Sequence, residues 1–252
     1  MDKFAWRIKL VGWGLWFNFW LGLLTLWAGI LVIFWSYIDR DSPMIHRSCR
    51  WWGRSLLKVC HIPVEVEGLE HLVPGQAYVF AANHRSNFDI FALISVLPGR
   101  FLWVAKKSLF DIPILGQALS RMGSISVDRE NLRSAVQSLD RATAIVKRGV
   151  SLIIFPEGTR AMSRELLPFK KGVFIMAIKA GQPIVPVSIS GTRFIQPRGT
   201  IRMKPGPIKV VISPPIPPGT FRRKEELMAA VRQAIEAHYD PDFPHGPGNP
   251  QP

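Results

Sequence analysis

The chain has 252 residues, 48% of them apolar, and carries 32 Lys and Arg against 18 Asp and Glu, a formal charge of +14. Such an excess favours an anionic partner: nucleic acid, an acidic membrane surface or a phosphate-bearing substrate. Two cysteines, Cys49 and Cys60, form neither a disulfide framework nor a zinc spacing, and the six histidines lack a metal-ligand pattern, so no metal and no cofactor is expected.

The first sixty residues differ from the rest. From Leu10 to Ile38 there is no Asp, Glu, Lys, Arg or His, while Trp13, Trp16, Trp20, Trp27 and Trp35 recur along the run. About twenty apolar residues suffice to span a bilayer as a helix, and tryptophan favours the membrane–water interface. The run is too long for a signal-peptide core and is followed by no small-residue cleavage site. An uncleaved membrane anchor is therefore expected over 10–38, with Gly12, Gly14, Gly22 and Gly29 allowing it to bend or tilt. Residues 43–60 interleave Arg47, Arg50, Arg54 and Lys58 with Ile45, Trp51, Trp52, Leu56 and Leu57. Cations three or four apart form one stripe of a helix, the pattern of a basic amphipathic helix lying on a membrane surface. More cations follow the apolar run than precede it, which predicts a body on the cytoplasmic side.

The body is expected over 61–239, a single domain of sufficient size to bury a core. Val64-Glu65-Val66 alternates like a short strand, and Pro74-Gly75 marks a turn into the buried run Ala77 to Ala82. Ile90 to Val96 reads as a helix and Arg100 to Ala105 as a strand closing on Lys106-Lys107. Ile112 to Met122 predicts a helix with Pro113 in its first turn, where proline is tolerated. Ser124 to Val127 is a strand, and Asn131 caps an amphipathic helix that Gly149 stops, with Leu132, Ala135, Val136, Leu139, Ala142 and Val146 on its apolar side. Ser151 to Phe155 is a strand, Lys171 to Ala180 a helix, Ile184 to Ile189 and Ile208 to Ile212 strands, and Lys224 to Tyr239 a closing helix. A Pro- and Gly-rich tail from Asp240 to Pro252 is expected to be disordered. Strands alternating with helices predict an α/β fold with a largely parallel or mixed sheet flanked by helices.

Polar residues cluster just past the strand ends: His84 with Asp89, Lys106 with Lys107, Asp128-Arg129, and Glu157 with Arg160. Ligands of open α/β sheets collect there, so these groups can share one cleft. They comprise a base, a carboxylate to orient it, and cations able to grip a phosphate. A helix start capped by Ser86, Asn87 and Asp89 is the bland reading of Asn83 to Asp89; a base-and-orienter pair is the chemical one. A Gly-rich phosphate loop and a G-x-S-x-G elbow are both missing, which argues against nucleotide hydrolysis and a serine esterase.

Asn83-His84-(four residues)-Asp89, Val127-Asp128-Arg129, Phe155-Pro156-Glu157-Gly158-Thr159-Arg160 and Ile184-Val185-Pro186-Val187 resemble, in order and spacing, four motif blocks of the glycerolipid acyltransferases, in particular the 1-acylglycerol-3-phosphate acyltransferases of bacteria. The likeness covers roughly Val64 to Ile212. It departs mildly at Ser126-Val127, where a bulkier pair is commoner, and at Ala161-Met162, where Ser is frequent after the arginine. The resemblance implies that His84 is the general base for a lysophospholipid hydroxyl, with Asp89 its orienter. It implies that Glu157, Gly158 and Thr159 bind the acceptor, that Arg160 and Arg129 pair with its phosphate, and that Lys106 or Lys107 adds a contact. Implied partners are acyl-CoA or acyl-carrier protein as donor, a lysophospholipid acceptor such as lysophosphatidic acid or lyso-ornithine lipid, and membrane lipids. The setting implied is the cytoplasmic face of a bacterial inner membrane. A membrane-tethered nucleic-acid-binding protein, suggested by charge alone, lacks any recognisable reading module, so no nucleic acid is expected. A catalytically silent membrane scaffold would fold normally without turnover; the intact His84 and Asp89 pair speaks against it.

Overall fold

The computed structural model describes residues 3–128, 132–221 and 223–245, with backbone alone at 3, 132, 133, 135 and 136. Its centre is a seven-stranded sheet: β1 (Val64–Glu67), β2 (Val79–Ala82), β3 (Phe101–Lys106), β4 (Ile125–Val127), β5 (Ser151–Ile154), β6 (Ile184–Ser190) and β7 (Ile208–Ile212). The spatial order is β1-β7-β6-β2-β5-β3-β4. Every neighbouring pair is parallel except β6 and β7, so the sheet is mixed. The central strands are buried on both faces, which is why they read in sequence as continuous apolar runs rather than alternating ones.

Two cores lie on the two faces. In β2, Phe80 and Ala82 join the cluster that includes Leu56, Phe88 and Phe91, while Val79 and Ala81 join the cluster that includes Phe174 and Val231; successive strand residues point to opposite sides. The first face is covered by α1 (Lys3–Ile38), α2 (Pro43–Val59) and α3 (Phe88–Val96), the second by α5 (Leu132–Lys147), α6 (Lys171–Ala180) and α8 (Lys224–His238). A shorter helix, α4 (Leu115–Met122), packs on α1, and a single turn, α7 (Thr192–Ile195), follows β6.

The N-terminal run forms one unbroken helix of 36 residues, about 54 Å long at 1.5 Å per residue. Two of the four glycines expected to permit bending, Gly14 and Gly29, serve instead for close approach, while nothing lies within 4 Å of a Cβ on Gly12 or Gly22. Ile201 O lies where a Cβ on Gly14 would stand, 1.7 Å from it, and Ile114 Cγ2 would lie 2.4 Å from a Cβ on Gly29. Polar ties follow the same line: Met203 N–H donates to Leu10 O (3.0 Å), Trp16 Nε1–H to Val59 O (2.8 Å) and Trp52 Nε1–H to Thr25 Oγ1 (3.1 Å). Phe17, Leu24, Ala28 and Val32 are buried against the body, whereas Ile8, Leu15, Phe19, Leu26 and Phe34 face outward.

Tertiary contacts also change two other expectations. The helix expected from Ile112 starts only at Leu115, because Ile114 adopts φ 64°, ψ −54° while its side chain packs on Gly29. In α2, capped by the Ser42 hydroxyl accepting from Met44 N–H, Arg50 donates to Gly99 O (2.9 Å) and Arg54 to Ser95 O (3.0 Å). Arg54 thus sits on the negative end of α3, while Arg47, Arg54 and Lys58 stay exposed along the basic stripe and Arg50 is half-buried. The disorder expected from Asp240 does not hold for Asp240 to His245: Asp240 N–H donates to Ser190 Oγ (3.0 Å) and Asp242 pairs with Arg164. Residues 246–252 lie outside the described residues, as does the expected cap Asn131.

Gly14 and Gly12 provide a matched test of α1 docking, since nothing lies within 4 Å of a Cβ on Gly12. In a helix interior Gly→Ala gains up to about 1 kcal/mol of propensity, while overpacking costs roughly 1–3 kcal/mol. Gly12→Ala is therefore expected to hold or raise the thermal midpoint. Gly14→Ala is expected to lower it by a few degrees, about 2–4 °C per net kcal/mol, read by scanning calorimetry in detergent.

Candidate active site

β2 hands the chain to Asn83, whose side-chain amide donates to Ile189 O (2.8 Å) and accepts from Ile189 N–H (2.7 Å). The amide so replaces the main-chain partner at the point where β2 leaves β6. The next residue, His84, is held by its own backbone: its N–H donates to Glu157 Oε1 (2.8 Å) and its carbonyl accepts from Ala161 N–H (2.9 Å). Its ring stacks on Phe155 with centroids 3.9 Å apart and planes 10° from parallel, and Phe155 in turn stacks on Trp103.

Asp89, in the first turn of α3, presents one oxygen to three donors. Oδ2 lies 2.8 Å from His84 Nδ1 and accepts from Arg85 N–H (2.6 Å) and Ser86 N–H (2.8 Å). A carboxylate can only accept, so Nδ1 carries the ring hydrogen and Nε2 keeps its lone pair. The Asp89 side chain has no exposure, while that of His84 retains 11%. The pair is therefore sealed behind and open at the imidazole. Capping differs from the sequence expectation. Ser86 Oγ donates to Gln196 O (2.9 Å), Asn87 Oδ1 accepts from Arg160 Nη1 (3.0 Å), and Asn87 makes no side-chain capping bond. Asp89 alone reaches back to the free N–H groups of the turn.

Glu157, which the resemblance implied would bind the acceptor, is turned into the protein. It is 2% exposed, and its two oxygens accept from His84 N–H and from Leu167 N–H (2.8 Å), with Arg85 Nη1 3.5 Å away. Burial raises its pKa, and the two backbone donors and then Arg85 offset only part of that rise. These bonds make Glu157 a tie between the end of β5 and the end of β2. Gly158 occupies a left-handed turn (φ 74°) closed by its N–H on Phe155 O (2.9 Å), a conformation that glycine adopts without a steric penalty.

Thr159 Oγ1 accepts from Arg198 Nη1 at 3.3 Å. Arg160 faces a cavity of about 430 Å³ that Asn87, Gln196 and Thr200 line together with Phe17, Asn18 and Leu21 of α1. Burial lowers the Arg160 pKa, as does the charge of Arg198, and Asp89 opposes both. A depression of about 470 Å³ between α6 and the start of α8 contains none of the groups around His84. Lys106 and Lys107 are exposed at the end of β3, two strands from β2, a separation of roughly 10 Å. Lys107 lies 3.9 Å from Asp128. Arg129 falls outside the described residues.

Sequence reasoning passed over Arg85, Tyr239 and Arg198. Arg85 is 2% exposed, donates from Nε to Tyr239 OH (2.9 Å) and lies over that ring, 4.9 Å from its centroid. Tyr239, whose pKa burial raises, closes α8, so the last helix is tied to the site turn from 154 residues away. The signal in the sequence was slight: an arginine inside the four-residue spacer, and a tyrosine just past the final apolar stripe.

The Acyltransferase family model matches residues 63–190. A 1-acyl-sn-glycerol-3-phosphate acyltransferase of Limnanthes alba is 40% identical over 156 residues, 62% of this chain and 55% of that protein. The human 1-acyl-sn-glycerol-3-phosphate acyltransferase alpha is 36% identical over 157 residues, 62% of this chain and 56% of that one. The chain thus spans little more than half the length of these curated relatives. The crystal structure of the 1-acyl-sn-glycerophosphate (LPA) acyltransferase PlsC from Thermotoga maritima superposes with a TM-score of 0.82 at 29% identity, covering 92% of this chain and 95% of that one.

Glu157→Gln replaces one accepting oxygen by a donor opposite a buried N–H. A loss of about 1–3 kcal/mol is expected, measured as a lower denaturation midpoint. If Glu157 positions His84 rather than the acceptor, kcat falls while the KM of the acceptor changes by less than about twofold.

Proposed function

The chain belongs to the Acyltransferase family, and from that premise we propose that it transfers a fatty acyl group from acyl-CoA or acyl-carrier protein to the free hydroxyl of 1-acyl-sn-glycerol 3-phosphate, yielding phosphatidic acid. The observation that carries this reading is His84, with Nδ1 bonded to Asp89 at 2.8 Å and Nε2 left to take a proton, on the same turn whose Asn87 accepts from Arg160 Nη1. A base beside a phosphate-seeking cation suits an acceptor that carries both a hydroxyl and a phosphate.

In the proposed reaction His84 Nε2 accepts the hydroxyl proton as the oxygen attacks the thioester carbonyl. The new C–O bond forms, the C–S bond breaks, and the imidazolium returns its proton to the departing thiolate. Asp89 stabilises the imidazolium and holds its tautomer. The ring's position depends on Glu157, Phe155 and Asn83, none of which needs to touch substrate. Direct attack requires no acyl-enzyme. The same machinery accommodates other lysolipid acceptors, lyso-ornithine lipid among them, and the resemblance and the names of the relatives favour lysophosphatidic acid.

Access to a lipid substrate follows from the N-terminal helices. α1 is long and apolar enough to cross a membrane, its outer stripe is apolar, and Arg47 and Lys58 are exposed on α2. A helix pair of this kind suits insertion at or through one leaflet with cations on the headgroups. The reading places the protein on the cytoplasmic face of a bacterial inner membrane, supported by the excess of cations after the apolar run.

Purified protein is expected to release thiol from acyl-CoA or acyl-carrier protein only when a lysophospholipid is present, with phosphatidic acid identified by mass spectrometry from a mixed acceptor pool. His84→Ala is expected to reduce turnover by about 10²–10⁴-fold without loss of fold, and Asp89→Asn by a comparable factor. Full turnover in His84→Ala would remove His84 from the chemistry.

A further inference from the structure

We propose that Arg85 and Tyr239 are positioning residues for acyl transfer: Tyr239, held by the chain that follows α8, fixes the Arg85 guanidinium against Glu157, and Glu157 fixes the backbone of His84. This rests on the function proposed above. Arg85 occupies the four-residue spacer between His84 and Asp89, and Tyr239 lies far past the last of the four motif blocks. The Arg85 and Glu157 side chains are 1% and 0% exposed, with Nη1 3.5 Å from Oε2. Glu157 passes the contact on, since its other oxygen, Oε1, accepts from His84 N–H (2.8 Å). Tyr239, Arg85 and Glu157 thus stand in one line that ends at the base.

Among the described residues the Tyr239 hydroxyl, 2.9 Å from Nε, is the only hydrogen-bond partner of the Arg85 guanidinium. The Tyr239 ring lies against the same group, its centroid 4.9 Å from Cζ. Burial raises the Tyr239 pKa, so the hydroxyl is neutral and able to accept there. Taking a guanidinium out of water is costly, and a buried ion pair often adds no stability over apolar side chains of the same volume. Stability therefore does not account for a cation at position 85. Its effect on Glu157 does: burial raises the pKa of that carboxyl, and Arg85 is among the groups that oppose the rise. The cation so favours an ionised acceptor opposite the His84 N–H.

The chain after α8 holds Tyr239 in place and touches the loops around His84. Asp240 N–H donates to Ser190 Oγ (3.0 Å) at the end of β6, Asp242 pairs with Arg164 in the loop after β5, and the His245 ring meets Phe194 of α7 edge-on with centroids 5.1 Å apart. α8 holds the loop after β5 as well, through Arg232 donating to Leu166 O and Leu167 O (3.0 Å each). That loop supplies the Leu167 N–H which Glu157 also accepts. Just past α7, Gln196 O accepts from Ser86 Oγ (2.9 Å), which returns the path to the site turn. Tyr239 is therefore fixed by the loops that it steadies. Arg85, Glu157 and Tyr239 are not among the residues lining the cavity that Arg160 faces, so a change along this line acts on the base and leaves acceptor binding alone.

The test uses the full chain in detergent micelles and compares wild type with Tyr239→Phe, Arg85→Lys, Arg85→Gln and Ser188→Ala. Ser188→Ala removes one buried hydroxyl bond from β6 to Ile235 O of α8 (2.7 Å) and controls for a loss of stability alone. It is expected to lower the denaturation midpoint and to leave kcat within about twofold. In thiol-release assays run below every midpoint, Tyr239→Phe is expected to lower kcat roughly three- to ten-fold and Arg85→Gln roughly ten-fold or more, with both KM values within about twofold. Arg85→Lys keeps the charge without the planar fork and recovers part of the loss. Tyr239→Phe keeps the ring and guards against an Arg85 variant that fails to fold. A second readout needs no turnover: the imidazole nitrogen-15 resonances of His84, assigned with His84→Ala, are expected to move in Tyr239→Phe and Arg85→Gln and to stay in Ser188→Ala. Unchanged kcat and resonances in the two variants, losses that Ser188→Ala reproduces, or a rise in acceptor KM in place of a fall in kcat would overturn the proposal. Moved His84 resonances in a protein without acyl transfer would leave the positioning line standing and remove the activity proposed above. Turnover indifferent to both substitutions would do the reverse.

Discussion

A carboxylate oxygen that accepts three N–H groups from its own segment of chain cannot shift without leaving a buried donor unpaired, at a cost of about 1–3 kcal/mol. Asp89 Oδ2 is in that position, bonded to the imidazole and to the main chain of Arg85 and Ser86. Glu157 acts on the same residue from the other side, through the His84 N–H. Two buried carboxylates thus determine where one imidazole stands and which of its nitrogens is free. Both interactions require β2 and β5 to end side by side, and the parallel pairing of Phe80 with Ile153 and Ala81 with Ile154 supplies that.

Burying two acids is unfavourable unless donors replace the lost water. The solution here is to use backbone N–H groups that a strand end and a helix start leave unpaired in any case. Arg85 adds charge near Glu157, and Tyr239 supplies it with a hydroxyl and a ring face. The site is consequently joined to α8 on one face of the sheet and to α3 on the other. Asn83, fastened to β6 by both ends of its amide, completes the frame.

The N-terminal helix shows how one segment meets two requirements. Its composition satisfies a bilayer, and a stripe of Phe17, Leu24, Ala28 and Val32 satisfies the protein. Glycine at positions 14 and 29 lets main chain and side chains of the body come close enough to fix its axis. A helix of uniform apolarity would insert equally well but would have no unique seat. The notches distinguish a docked helix from a tether, and they bring α1 to the rim of the cavity that Arg160 faces.

Much of the fold was legible along the chain. All seven strands lie where the residue pattern put them: the inner ones as apolar runs, because strands buried on both faces must be apolar throughout, and the edge strand β1 as the alternation Val64-Glu65-Val66. The N-terminal helix followed from charge-free length, and the His84 and Asp89 pair followed from spacing, since five residues across a strand-to-helix turn bring the two side chains together. What the sequence could not decide was direction and distant partnership. Glu157 pointing inward, Arg54 seated on the end of α3, Ile114 breaking the first turn of α4 and Arg198 standing beside Arg160 all depend on contacts between residues tens of positions apart. Local pattern records which residues seek burial or charge; only the packed sheet and its helices settle which neighbour each one meets.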